Sequence, residues 1–158
     1  MADAADWRRL ADALRDLHRA LIERARRDYE SEHGESVGRG HFVQLLAADS
    51  SFAWLRPLSE LMADLDMVRD VGAALMDELS SGLRPAVEHV IPPSRAAQTP
   101  AGIGERYWPY VQDDPHVAMA HAALRQALTA WPHMDSEDTA ATLHERHRLA
   151  EKARHRKH

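Results

Sequence analysis

Apolar residues recur at steps of three and four along two long stretches of this chain, and no stretch alternates apolar with polar residues. Trp7, Leu10, Leu14, Leu17 and Leu21 form the first series; Trp54, Leu58, Leu61, Leu65, Val68, Leu75 and Leu79 form the second. A spacing near 3.6 puts every member of a series on one face of a helix, whereas a half-buried strand needs a period of two. The chain is therefore expected to be all-α, a helical bundle with two long helices, one medium helix and several short ones.

Punctuation residues divide the pattern. Asp3 or Asp6 can cap the first helix, and Gly34 is its natural stop. Phe42, Leu45 and Leu46 suggest a short helix ended by Asp49-Ser50-Ser51. The second series predicts one long helix from Trp54 to Leu79, with Pro57 marking its start or a kink and Gly72 lying on the stripe itself. Leu83, Val87 and Ile91 fit a short helix closed by Pro92-Pro93. Three prolines and two glycines make residues 92–104 the clearest loop. Tyr107, Trp108, Tyr110 and Val111 then form an aromatic turn or short helix interrupted by Pro109. Asp114-Pro115 combines a cap with a first helical residue, and Pro132 stops the helix it starts. This organisation gives one domain over residues 1–143 and a basic, histidine-rich tail over 144–158, expected to be a solvated or fraying helix.

Composition excludes several classes. With no cysteine among 158 residues there is no thiolate chemistry, disulfide framework or cysteine-ligated metal. No apolar run approaches the length of a membrane span, and the first residues lack the apolar core of a secretory signal. A cytoplasmic location without a membrane partner is the expectation. Eighteen arginines against two lysines suggest a GC-rich, bacterial coding sequence. The net charge of −5 divides into +4 over residues 145–158 and −9 over the rest. An acidic body does not suit a dedicated nucleic-acid binder, which leaves only weak, salt-sensitive contact by the tail.

The lead for chemistry is His121. It shares a helical stripe with Val117, Leu124, Leu128 and Trp131, so its imidazole is expected to face inward among small alanines. Neutral imidazole ligates metals and titrates near neutral pH. His18, between Leu14 and Ile22, and Asp64, beside Leu61 and Val68, are the candidate partners in a metal or ligand site. A transition metal or haem held by His121, His18 and Asp64 would imply a redox or oxygen-handling role. A di-iron bundle requires Glu-x-x-His twice, and Glu30-Ser31-Glu32-His33 supplies it once, at a helix end. His144-Glu145-Arg146-His147 misses the zinc-helix spacing by one residue. The pair Phe42–Ala48 and Phe52–Leu61 is too apolar for a DNA-reading helix-turn-helix.

Tyr107, Trp108 and Tyr110 form the densest aromatic cluster and are the candidate partner-binding residues, since tyrosine and tryptophan anchor many interfaces. No phosphate-cradling loop or serine–histidine arrangement suggests catalysis. The preferred expectation is a binding, interaction or regulatory module that recognises a protein partner or a second copy of itself. The alternative is the histidine-based metal or cofactor bundle.

Overall fold

In a computed structural model, residues 2–95, 103–132 and 148–155 are described. Among them the fold is all-α, with no strand. Helix α1 spans Ala4–His33, α2 Arg39–Ala48, α3 Arg56–Val71, α4 Ala73–Ser80, α5 Leu83–Val90, α6 Gly104–Asp113 and α7 Pro115–Ala127. A 3-10 turn over Ser50–Leu55 joins α2 to α3, and another over Leu128–Ala130 follows α7. Residues 148–155 are helical (α8).

Helix α1 is the spine. Asp3 caps it by accepting from Asp6 N–H, while the Asp6 carboxylate accepts from Asp3 N–H, a reciprocal capping box. Gly34 ends it at φ 68°, a left-handed conformation that costs glycine little. Trp7, Leu10, Leu14, Leu17 and Leu21 are all buried, as the spacing predicts. Each such leucine contributes roughly 1.5–3 kcal/mol by leaving water. The face packs chiefly against α7 and also against α3. Trp7 meets Trp131 edge-on at 5.1 Å near one end of the spine, and Tyr29, Phe42 and Phe52 gather near the other.

The second long helix is not continuous. Gly72 adopts φ 124°, ψ −174°, a conformation open in practice only to glycine, and it separates α3 from α4. Leu58, Leu61, Leu65, Val68, Leu75 and Leu79 are nonetheless all buried, because both helices lie on the same core. Pro57 sits in the first turn of α3, where its missing N–H costs nothing. At α7 the expectation holds residue for residue: Asp114 caps, and Pro115 is first.

The end of the chain departs from expectation. Residues 148–155 dock into the core rather than lying in solvent: Leu149, Ala150 and Ala153 are fully buried. Arg154 pairs with Asp64 on α3 at 3.1 Å, and Lys152 approaches Glu78 on α4 at 3.8 Å. Leu149, Ala150 and Ala153 share one face of this helix and seat it in spite of its charge. The boundary expected at residues 143 and 144, and the His144–His147 pair, lie outside the described residues. No described helix is long and apolar enough to cross a membrane.

Candidate functional site

The three expected ligands each have another partner. His121, on α7, is half-buried between α6 and its own helix. The Tyr107 hydroxyl donates to His121 Nδ1 at 2.5 Å, and the Trp108 ring stands edge-on to the imidazole at 5.2 Å. Burial, reinforced by the Arg125 charge, holds His121 below the ordinary histidine value, so it is a neutral acceptor. Tyr107 is fully buried, and that burial pushes its hydroxyl up, which keeps its proton in place.

His18, on α1, points to α3. Its Nε2 donates to Ser59 Oγ at 3.1 Å, and the Ser59 hydroxyl in turn donates to the Leu55 carbonyl at 3.4 Å. Burial lowers the affinity of His18 for a proton as well. Asp64 is buried on α3 and answers Arg154 of α8. Among the described residues no three histidine, aspartate or glutamate side chains gather as a metal would require. The expected convergence of His121, His18 and Asp64 on one metal is thus corrected. Each is claimed by a neighbouring helix, and a helical stripe fixes the face a residue occupies but not its depth along the bundle. Glu30, of the single Glu-x-x-His, closes the turn after α1 by accepting from Val37 N–H at 2.8 Å and from Arg26 at 3.2 Å.

Two carboxylates fasten α7. Asp114 is buried; it caps α7 through His116 and Val117 N–H and meets Arg27 of α1 at 2.6 Å. Burial raises its pKa, but the two amides and the Arg27 and Arg24 charges outweigh burial and leave it below the usual range. Glu88 of α5 takes hydrogen bonds from Arg84 at 3.0 Å and Arg125 at 2.7 Å, which overcome burial in the same way. Both are structural ties, because their partners are fixed side chains and amides of the bundle itself.

The aromatic cluster divides. Tyr107 and Trp108 face inward, so neither is available to a partner; the interface expectation is corrected for these two, because α7 closes over them. Tyr110 is half-buried and lines an open cleft between α1, the 3-10 turn at Ser50–Leu55 and α6. The cleft has a volume of about 260 Å³. Its walls are rings: Trp54 meets Tyr110 edge-on at 5.6 Å, and Tyr29 meets Phe52 at 5.5 Å. Arg24 lies over Tyr110 at 5.1 Å and pairs with Asp28 at 3.0 Å. Burial first, then the nearby Asp28 carboxylate, pushes the Tyr110 hydroxyl up to about 12. The sequence reading missed this cleft because its walls come from three separated segments. The available signal was Tyr29 and Trp54 at the edges of their stripes, where large rings are only partly covered.

In the basic tail, Arg154 and Lys152 face the acidic side chains of α3 and α4, and Arg146, Arg156 and Lys157 lie outside the described residues. Comparison with known proteins yields no matching family model, no matching curated protein and no matching solved structure.

Proposed function

We propose that this chain is a binding module whose recognition surface is the aromatic cleft between α1 and α6. The observation that carries the reading is the open concavity in which Tyr29, Trp54 and Tyr110 are left half-buried beside the buried Phe52, in a molecule whose other aromatic rings are packed away. Exposing several large rings in one hollow sacrifices burial that the fold would otherwise gain, and concave, aromatic-lined sites are where proteins hold small ligands. At about 260 Å³ the hollow is smaller than the roughly 300–1,000 Å³ of sites for drug-sized molecules. It suits a compact ligand or one side chain presented by a partner protein. The metal or cofactor alternative gains no comparable support, since His121 and His18 are committed to Tyr107 and Ser59.

The test is a fragment screen read by NMR on the indole N–H signals, with Trp54 identified by its loss in Trp54→Phe. Fragments of mixed charge should shift Trp54 and leave Trp7 and Trp131 in place. Fragments that bind only elsewhere, or turnover of a substrate at a different site, would overturn the reading.

A further inference from the structure

The charges around the cleft select a ligand class, and this step rests on the cleft being the binding site. Aromatic faces carry negative potential, so a hollow walled by rings already favours a cation over an anion. The charged side chains at its edge add to that preference. Glu32, at the end of α1, and Glu105, at the start of α6, line the cleft and are exposed, and neither forms an ion pair among the described residues. Asp28 also lines it but is already met by Arg24. Among the described residues, Arg106 is the cation that lines the cleft, while Arg24, which lies over the Tyr110 ring, is matched by Asp28.

The backbone points the same way. Pro109 lies inside α6 and also lines the cleft. It has no N–H, so the Glu105 carbonyl, four residues earlier, loses the donor that a regular helix would supply. The α6 side of the hollow therefore carries both a free carboxylate and a carbonyl short of its helical donor. Tyr110, opposite Trp54, remains protonated at neutral pH and adds a ring without a charge.

We propose that the cleft binds an organic ammonium ion, with the alkylated nitrogen among the rings and the positive charge facing Glu32 and Glu105. A free small molecule and the end of a methylated lysine side chain both present such an ion; the chemistry is shared, and the experiment separates the two. A metal ion is not the ligand meant, because among the described residues no three histidine, aspartate or glutamate side chains gather as a metal would require.

The probes are choline, its neutral isostere 3,3-dimethylbutan-1-ol and the anion 3,3-dimethylbutanoate, titrated into the intact chain and followed at the Trp54 indole signal. Choline should bind about tenfold or more tightly than the alcohol, which corresponds to the attraction of a ring-enclosed cation. The anion should bind most weakly. Glu32→Gln and Glu105→Gln should each weaken choline several-fold, and Arg106→Gln should tighten it. All three residues are exposed, so the variants should fold, which a thermal melt verifies. A short peptide bearing trimethyllysine that binds tenfold tighter than choline assigns the ion to a side chain; equal or weaker binding assigns it to a free molecule. If the alcohol or the anion shifts Trp54 as well as choline does, the cleft stands as a site and the cation proposal falls. If no probe and no fragment moves Trp54, the site itself falls. Charge variants that leave choline affinity unchanged also overturn the proposal.

Discussion

Tyr107 and Tyr110 stand three residues apart on one helix and live in different worlds. Tyr107 is sealed by α7, its hydroxyl matched to one neutral acceptor, His121 Nδ1. Tyr110 faces the cleft, half-covered, with Arg24 over its ring and Asp28 near its hydroxyl. Three residues turn a helix through about 300°, which leaves the two side chains only about 60° apart around the axis. The border between core and cleft therefore runs along α6 itself. What differs is the second element: α7 closes over one ring, while nothing described closes over the other. An aromatic residue becomes structure or surface according to whether a neighbouring helix reaches it, not according to its own type.

The largest effect expected from this contrast is on stability. Tyr107→Ala should cost about 3–5 kcal/mol, as for other large rings deleted from cores. For a chain of this size that lowers the melting temperature by roughly 10 °C, at about 2–4 °C per kcal/mol. Tyr110→Ala should cost only about 1 kcal/mol, the typical figure for a substitution outside the core. Thermal unfolding of both variants decides it. Equal losses would mean that the cleft face of α6 is as much a part of the core as the other, and the distinction would break.

A smaller change isolates the hydroxyls. Tyr107→Phe keeps the ring but leaves His121 Nδ1 without its donor, a loss of about 1–3 kcal/mol for a buried polar group. Tyr110→Phe should stay within about 0.5 kcal/mol of the parent, since water replaces its partner. Adding His121→Leu to Tyr107→Phe removes both polar groups, and it should recover part of the stability lost in Tyr107→Phe alone, because two apolar partners leave nothing unsatisfied. A double variant less stable than either single one would show that His121 has a further buried partner.

These comparisons also mark which parts of the molecule were readable from the sequence. The fold class, the buried face of α1, the Gly34 stop and the Asp114-Pro115 start follow from spacing and caps, which are local. The break at Gly72 did not, because α3 and α4 bury the same stripe and the apolar pattern runs on across the single positive-φ glycine between them. The docking of residues 148–155 was hidden by their charge: Arg154 and Lys152 read as solvated until Asp64 and Glu78 are brought beside them. The site was the least legible part. His121 was rightly placed on an apolar face, yet its partner is a tyrosine on the preceding helix rather than His18 or Asp64. Of the aromatic trio, only Tyr110 reaches the cleft, and its companions Tyr29, Phe52 and Trp54 are joined to it by tertiary packing alone.

The smallest effect concerns protons, and it tests the sealed side of α6 directly. Burial holds both His121 and His18 below the ordinary histidine value, so as pH falls the unfolded chain takes up protons before the folded one does. Their contribution to stability is complete above the unfolded value of about 6.5 and is lost as pH falls from there through the folded values. Melting temperature should therefore decline on acidification through this window, before the carboxylates of Asp114 and Glu88, both held below their ordinary range, begin to add their own losses at lower pH. The Tyr107 hydroxyl favours neutral His121, because its proton occupies the lone pair that protonation would need. In Tyr107→Phe the His121 titration, followed by NMR, should move up toward the ordinary value, and the stability lost between about pH 7 and 5 should shrink. Tyr110→Phe should leave the His121 titration unchanged. If His121 titrates identically in both variants, burial alone sets its protonation and the hydrogen bond to Tyr107 has no part in it.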